Sequence, residues 1–448
     1  MISLHRSVNR RAIRWPERLN TGAAGPFTHA RHRVHFLSLG SQSLLNSTIK
    51  PFQHGRFYSS VIQRPAASEI VNLPVRYSSI TLNVLEPISG PKFETVLLYL
   101  GAGPFLGQAN QPGFDEPIIA ALGAASNATI IRIGYQAEAG FPFPIAVHDV
   151  LAGYDWAIER IAERNEDSQR SAIGKIGVVG QLFGGSLATS LALTESRRGV
   201  WPARVQAAAV NNPITDWVVP DREKLELAAA QFGVLKVDDA DPDTENIMAR
   251  SNKSKRKGPA LSSWQKYKDS NVLGAKDLLK ARKSIFTKED SFYDVFASPI
   301  HFFRTPGIEF PLPASTLPDS ETDEPPDYTL SRKSRRVFPP AGSNIMLPHY
   351  RMTTGEESIL ASQNEEFILS LYSGEVSRHL KTHGLRASHL KHLDEDQQNE
   401  VDFISEQADV KFKSYALPGV GLWGVGPGNL WRSDAEMAGD WLRQVLTV

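Results

Sequence analysis

The residues best placed to do chemistry lie in a glycine-rich stretch, GQLFGGS at 180–186. A serine nucleophile is often presented on the pattern G-x-S-x-G, whose glycines let a strand turn sharply into a helix. Gly180 and Gly184 keep that spacing and Gly185 follows, but Leu182 occupies the serine position. A leucine side chain has neither a lone pair nor a proton to transfer. The stretch therefore predicts the turn without its nucleophile.

Other reactive groups occupy less suitable positions. Ser186 lies four residues after Leu182, and we expect its hydroxyl to lie along the side of the following helix. The chain has no cysteine, which excludes thiolate nucleophiles and thiolate metal sites. The closely spaced histidines from His379 to His392 are predicted to lie on a solvated helix face rather than to bind a metal. We predict no cofactor and no metal.

The turn is predicted to lie within an alternation of strands and helices. Short apolar runs at 95–104, 128–135, 175–180 and 205–213 are typical of buried parallel strands. The stretch 142–164 has the 3.6-residue period of an amphipathic helix. Such an alternation predicts an α/β fold with a mostly parallel sheet. The other predicted elements are strands at 78–87, 349–358 and 409–419 and helices at 114–126, 184–196, 363–377 and 434–446.

Several stretches resemble motifs of the α/β-hydrolase superfamily, specifically the hormone-sensitive-lipase-like esterases. The sequence LLYLGAGPFLGQ at 97–108 resembles the family's strand followed by H-G-G-G. Residues 131–159 resemble its Y-R-L-A-P-E-H-P-F-P segment, and VVGQLFGGSLA at 178–188 resembles its elbow G-D-S-A-G-G-x-L-A. The later VFASPIHFF at 295–303 is similar to its Y-x-S-P motif. The resemblance implies a mostly parallel central sheet flanked by helices, with a cap insertion.

The resemblance also implies where the catalytic groups would lie, and other residues replace them. Leu182 takes the nucleophile position, Ser358 the acid position and Leu422 the histidine position, while Leu100 replaces the histidine of H-G-G-G. Glu356 lies beside the acid position and could substitute only if the loop shifts. Backbone N–H groups could still form an oxyanion hole for a small acyl or carboxylate ligand. Those groups belong to Ala102, Gly103 and Phe183.

These replacements favour loss of activity. Removing the nucleophile or the base of a serine hydrolase lowers turnover by about 10⁶-fold. The first hypothesis is therefore an inactive hydrolase-fold protein that acts as a binding or structural subunit. The alternatives are a carboxylester or lipid hydrolase with non-standard catalytic residues, with Ser186 or Glu356 as the candidates, and an RNA- or ribonucleoprotein-associated protein.

The amino-terminal stretch has the composition of a targeting sequence. Residues 1–60 hold nine basic residues and a single acidic one, Glu17, with many serines. An Arg-rich, Ser-rich and acid-poor leader is typical of a mitochondrial transit peptide. We therefore expect residues 1–60 to be a transit peptide and the protein to reside in the mitochondrial matrix.

The rest of the chain is predicted to form one hydrolase domain with an insertion. Residues 65–235 and 346–448 are its two parts, and 236–345 form a charged cap insertion and linker. Within the insertion, residues 250–288 hold twelve Lys and Arg against two acidic residues. This segment is predicted to be a solvated cap or a docking surface for a protein, RNA or anionic lipid partner. No apolar run is long enough to span a membrane, and a homodimer is an open alternative.

Overall fold

The structure is a computed structural model of the whole chain. It describes residues 68–90, 93–105, 114–168, 175–197, 204–217, 273–306, 334–340, 342–382, 395–425 and 429–447. The predicted transit peptide at 1–60 lies outside the described residues. So do residues 250–272 of the predicted basic segment.

Eight strands form one mostly parallel sheet. Their order in the sheet is β1-β2-β4-β3-β5-β6-β7-β8. The β1 strand pairs antiparallel with β2, and β2 pairs antiparallel with β4, while the remaining neighbours are parallel. The strands are β1 Ser68–Val75, β2 Ser78–Leu85, β3 Thr95–Leu100, β4 Thr129–Gly134, β5 Lys175–Gln181, β6 Val205–Asn211, β7 His349–Gly355 and β8 Phe412–Leu417.

Helices cover both faces of this sheet, because its parallel strands are apolar on both sides. The described helices are α1 Glu116–Ser126, α2 Ile145–Ser168, α3 Leu182–Glu195, α4 Ala275–Ile285, α5 Ala361–Thr382, α6 Glu395–Lys411 and α7 Leu430–Thr447. On one face α1 and α7 pack on alternate residues of the central strands, such as Leu97 and Val179. On the other face α2, α3 and α5 pack on the intervening residues, such as Leu98 and Val178. The sheet therefore lies between two cores, and the elbow residues Leu182 and Phe183 belong to the second of them.

The predicted fold class is confirmed, and each predicted strand is present within a few residues of its expected bounds. Two elements were missed. The β1 strand is only partly buried: Val71, Leu73 and Val75 alternate along it and pack against the core, while its first three residues are exposed. Only Ile404 and Ala408 are fully buried hydrophobic residues of α6, so its apolar period is weak. The prediction that the last strand begins at 409 was wrong, because α6 continues to Lys411 and β8 starts at Phe412.

The basic segment is helical in part. The α4 helix at Ala275–Ile285 lies within the basic segment 250–288. It buries Leu278, Ala281 and Ile285 against the core, while Lys276 and Lys280 are exposed. This described part of the segment therefore packs on the domain through its apolar face and presents its charges to solvent.

Candidate functional site

The elbow is built at the junction of β5 and α3. The strand ends at Gln181, and Leu182 begins the helix with a φ of +50°. This left-handed conformation costs a residue with a side chain about 1–2 kcal/mol. The sharp turn of a nucleophile elbow therefore persists at Leu182, although its side chain cannot act as a nucleophile.

The glycines of the motif are required by close backbone contacts. A Cβ at Gly180 would collide with the carbonyl of Gly184, and a Cβ at Gly184 would collide with the carbonyl of Gly101. A Cβ at Gly185 would lie 3.1 Å from the Cα of Pro213. The three predicted elbow glycines thus let the turn fit between the loops that follow β3 and β6.

The side chain at the nucleophile position is sealed from solvent. Leu182 has 0% of its surface exposed, and so does the next residue, Phe183. Both belong to the core cluster that α2, α3 and α5 form on the sheet, which also includes Leu422. A buried leucine side chain stabilises the fold by about 1.5–3 kcal/mol relative to an exposed one. The nucleophile position has become part of the hydrophobic core.

A chain of aromatic rings, which we call the aromatic cluster, packs above the elbow. Phe183 meets Tyr135 at a centroid distance of 6.1 Å and Trp217 at 5.9 Å. Trp217 also stacks on Phe105 at 6.1 Å and meets the edge of Phe286 at 5.3 Å. These rings bring together the elbow, the loop after β3, the residues after β6 and the end of α4. Around Phe183, the residue after the nucleophile position, the surroundings are therefore aromatic and largely apolar.

The residues of the predicted oxyanion hole lie close to one another. Gly103 has a φ of +75°, and a Cβ placed on it would lie 3.3 Å from the Cβ of Phe183. Ala102 is fully buried beside it. The hydroxyl of Tyr135 donates a hydrogen bond of 2.7 Å to the carbonyl of Gly101 and so holds this loop. The three predicted residues, Ala102, Gly103 and Phe183, therefore lie together.

A buried ionic group supports the same loop from behind. Asp115 accepts a hydrogen bond of 3.1 Å from the hydroxyl of Tyr99 and forms an ion pair of 2.9 Å with Arg132. A Cβ on Gly101 would lie 2.9 Å from an oxygen of Asp115. Burial raises the pKa of this carboxyl, although the charge of Arg132 acts in the opposite direction. The group positions the loop and does not reach the elbow.

The serine nearest the elbow has its hydroxyl engaged. Ser186 is fully buried, and its Oγ lies 2.6 Å from the carbonyl oxygen of Ile214 and 3.2 Å from that of Leu182. A hydroxyl that donates to backbone carbonyls is held by the fold, and the hydrogen bonds of Ser186 Oγ among the described residues are to carbonyl oxygens. Ser186 therefore joins α3 to the residues after β6.

The loop after β7 contains the predicted acid position. Ser358 is fully buried, and its Oγ accepts a hydrogen bond of 3.2 Å from the backbone N–H of Leu360. Glu356 is exposed, and its backbone N–H donates to the carbonyl of Leu417 at 2.8 Å. The loop is thus fixed in a position that leaves the Glu356 side chain at the surface.

The loop that would carry the histidine is bonded to the carboxyl ends of two strands, β5 and β6. Leu422 is 1% exposed, and Trp423 is fully buried. The side-chain amide of Gln181 donates to the carbonyl of Trp423 at 3.1 Å. The amides of Asn211 and Asn212 donate to the carbonyl of Gly421 at 2.8 and 2.9 Å. The polar groups at this edge of the sheet therefore bind a loop.

A buried ion pair anchors the same loop from the side of α7. Asp434 accepts a hydrogen bond of 2.8 Å from the indole N–H of Trp423 and one of 2.7 Å from Arg351. Both charged residues are at most 2% exposed. Breaking a buried pair by removing one partner leaves an uncompensated charge, which is strongly destabilising.

Sequence reasoning missed the polar residues that hold this loop, Gln181, Asn211 and Asn212, and the aromatic residue Trp217. A signal for the first three was present, because each lies at or just after the carboxyl end of a predicted parallel strand, where such side chains converge. Trp217 follows its strand by several residues and had no such signal. Only the packing of α4 shows its role: the guanidinium of Arg282 donates to its carbonyl at 3.2 Å.

Two further features of the described residues concern metal binding and membrane spanning. Within the described ranges, no group of three His, Asp or Glu side chains is arranged to hold a metal ion. None of the described helices combines the length and hydropathy needed to span a membrane.

Comparisons with known proteins agree with the fold. The family model described as "alpha/beta hydrolase fold" matches residues 96–279. This match and the sheet order confirm the predicted α/β-hydrolase fold. No curated protein matches the sequence significantly.

Solved structures of esterases are similar at low sequence identity. An esterase of Pyrobaculum calidifontis is 14% identical over 86% of this chain and 88% of that one, with a TM-score of 0.47. Carboxyl esterase 2 of Tuber melanosporum is 13% identical over 87% and 90%, with a TM-score of 0.47. A thermostable esterase of Pseudomonas putida is 14% identical over 86% and 84%, with a TM-score of 0.49. Similarities this distant do not transfer an activity to this chain.

Proposed function

We propose that this α/β-hydrolase-fold protein has lost hydrolytic activity and acts as a binding or structural subunit. The observation behind the proposal is Leu182, an apolar and fully buried side chain on a turn that keeps the geometry for presenting a nucleophile. Catalysis by such a turn requires a nucleophile, a base and an orienting acid. The first of these is absent at the position where the backbone would present it.

The other two positions support the same proposal. Leu422 stands at the histidine position and is buried, and its loop is bonded to the sheet edge through neighbouring residues. Ser358 stands at the acid position and accepts a backbone hydrogen bond. An oxyanion hole without these groups binds a carbonyl or carboxylate but provides only a small part of the rate enhancement.

The proposal is tested with the purified full chain and p-nitrophenyl acetate and butyrate. We expect no turnover above that of heat-denatured protein, and no serine labelled by a fluorophosphonate probe. We expect the same of the Leu182→Ser variant, because it restores a hydroxyl but neither a base nor an acid. Turnover together with a labelled serine, both abolished in Ser186→Ala, would show a relocated active site and contradict the proposal.

We also propose a mitochondrial matrix location for the chain. The proposal rests on the nine basic residues and one acidic residue of segment 1–60. Isolated mitochondria are expected to import the radiolabelled full chain and to shorten it near residue 60 in a potential-dependent reaction. A variant in which glutamine replaces the arginines of 1–60 should not be imported. Equal import of this variant and of the unchanged chain would contradict the proposal.

A further inference from the structure

The exposed face of α4 carries three lysines in a row. Lys276, Lys280 and Lys283 are spaced four and three residues apart, and all three are exposed. In a helix of 3.6 residues per turn, this spacing places them within an arc of about 60° around the axis and about 10 Å along it. We call these three residues the lysine row. Their positive charges therefore share one side of the helix.

The protein does not neutralise the lysine row. None of the described residues forms an ion pair or a hydrogen bond with its side chains. The acidic residue of α4, Asp277, caps the helix, since its carboxylate accepts a hydrogen bond of 3.0 Å from the backbone N–H of Gly274. The other basic residue, Arg282, is engaged in packing: it donates to the carbonyl of Trp217 at 3.2 Å and lies over the ring of Phe292. The positive charge that α4 offers to a partner is therefore that of the lysine row.

The opposite face of α4 is packed against the core. Leu278, Ala281 and Ile285 are buried there, and Phe286, directly after the helix, meets the ring of Trp217 at 5.3 Å. A helix that lies in a membrane interface inserts its apolar face among the lipids. Because the domain covers that face of α4, the lysine row can attract a partner only through its charge.

The composition of α4 favours phosphates of a duplex as the partner. Lysine is depleted in protein–protein interfaces, and it binds phosphate as a point charge. The helix contains no aromatic residue, so it cannot stack on the unpaired bases of a single strand. A duplex carries one negative charge per about 1.7 Å of its axis. It therefore offers several phosphates along the length of the lysine row.

We propose that α4 binds the phosphodiester backbone of a double-stranded nucleic acid through the lysine row. Contacts to phosphates carry no sequence information, so the binding is independent of base sequence. Each phosphate that a lysine neutralises releases counterions, and the logarithm of the binding constant then falls with the logarithm of the salt concentration by about 0.9 per contact. Three lysines account for a slope of about 2.7. The proposal does not depend on the loss of hydrolytic activity.

Fluorescence anisotropy of the full chain with short labelled duplexes tests the proposal. One RNA duplex and one DNA duplex of the same sequence are titrated between about 50 and 200 mM salt. The triple variant Lys276→Gln, Lys280→Gln and Lys283→Gln is expected to bind at least tenfold more weakly and to lower the salt slope by about 2–3. Since this variant retains every other basic residue of the chain, the difference measures the lysine row alone.

Binding of either duplex with this loss supports the proposal, and the tighter of the two identifies the source of the phosphates. No binding of either duplex, or the same affinity and slope for the triple variant, would overturn it. A strong preference for one base sequence would contradict binding through the backbone.

Single variants and other polyanions complete the test. Lys280→Gln is expected to lower the salt slope by about 1, whereas the matched control Lys381→Gln, at an exposed lysine of α5, should leave it unchanged. Equal effects of the two would show a response to net charge and overturn the assignment. Stronger binding to phosphatidylglycerol vesicles or to poly-L-glutamate than to both duplexes, lost in the triple variant, would assign the lysine row to a membrane or to an acidic protein instead.

Discussion

The elbow and the cavity between α5 and residues 335–340 and 342–346, the α5 groove, differ in which features of a functional site they show. At the elbow the backbone geometry of an active site is present, but its side chains are apolar and buried, as Leu182 and Trp217 show. In the α5 groove, in contrast, charged and apolar side chains such as Lys381 and Leu369 are exposed around a cavity. Backbone geometry is retained where packing depends on it, because the same glycines that shape the turn also permit close contacts in the core. Binding capacity, in contrast, depends on side chains that stay in contact with solvent.

The largest expected effect on the free energy of unfolding is at Asp434, which anchors the loop that contains Leu422. Asp434→Ala removes the partner of Arg351 and of the Trp423 indole, so we expect the free energy of unfolding to fall by about 3–5 kcal/mol. Urea unfolding followed by circular dichroism measures this loss. The control Asp440→Ala removes an exposed ion pair on the same helix and should cost less than about 1 kcal/mol. Similar losses in the two variants would show that the buried pair has no special role.

The next effect tests whether the elbow glycines are structural. Gly184→Ala places a Cβ against the carbonyls of Gly101 and Leu100, so we expect a loss of about 3 kcal/mol through overpacking. The control Gly140→Ala adds a Cβ that meets nothing within 4 Å, and its stability should change by less than about 1 kcal/mol. A fully stable Gly184→Ala protein would contradict the close contact between α3 and the loop after β3.

An intermediate and pH-dependent effect on the free energy of unfolding is expected at Glu375, a buried residue of α5. Burial alone would raise the pKa of Glu375, but Arg378 and Lys411 lower it to about 2 from an ordinary value of 4.5. A lowered folded-state pKa stabilises the protein above the unfolded value and loses that contribution as the pH falls from about 4.5 towards 2. Glu375→Gln should therefore cost about 1–3 kcal/mol at pH 7.

Denaturant unfolding at pH 7 and at pH 3 measures that dependence. The difference between wild type and Glu375→Gln should shrink at pH 3. The control Glu365→Gln changes an exposed residue of α5 and should have little effect at either pH. A Glu375→Gln difference that stays constant between these pH values would show that the charge does not stabilise the fold.

The smallest effect concerns the serine beside the elbow. Ser186→Ala removes its hydrogen bonds to the carbonyls of Ile214 and Leu182, which should cost about 1–2 kcal/mol because buried acceptors lose their donor. Thermal unfolding detects such a change. The control Ser433→Ala, at an exposed position of α7, should cause no loss. Unchanged stability of Ser186→Ala would mean that the hydroxyl is available for another role.

Much of the fold could be predicted, because strands and helices of this sheet have distinct apolar periods. The buried strands β3 to β7 and the amphipathic α2 match their predicted positions. The β1 strand and α6 escaped prediction. In β1 the alternating apolar signal is limited to Val71, Leu73 and Val75, which are only partly buried. In α6 few apolar side chains are buried. Local periodicity identifies an element only where one of its faces is buried.

The candidate site was predicted less completely. The elbow glycines and the apolar residue at 182 are adjacent in sequence, so their meaning is visible in a short motif. The hydrogen bonds from the side chains of Asn211 and Asn212 to the carbonyl of Gly421, in contrast, join residues 210 and 209 positions apart in the chain. The α5 groove is likewise lined both by residues 335–340 and 342–346 and by a helix that begins at Ala361. Such contacts leave no pattern within one stretch of sequence.

The sequence by itself determined the order of elements, the elbow and the absence of a serine at its nucleophile position, since these depend on residue identity and local spacing. Only the tertiary structure decided that Leu182 is buried beneath an aromatic cluster, that polar residues at the sheet edge bind a loop, and that a charged concavity lies along α5. The physical reason is that burial and charge balance arise from side chains brought together from distant segments. Their free energies depend on the surroundings that the folded chain provides.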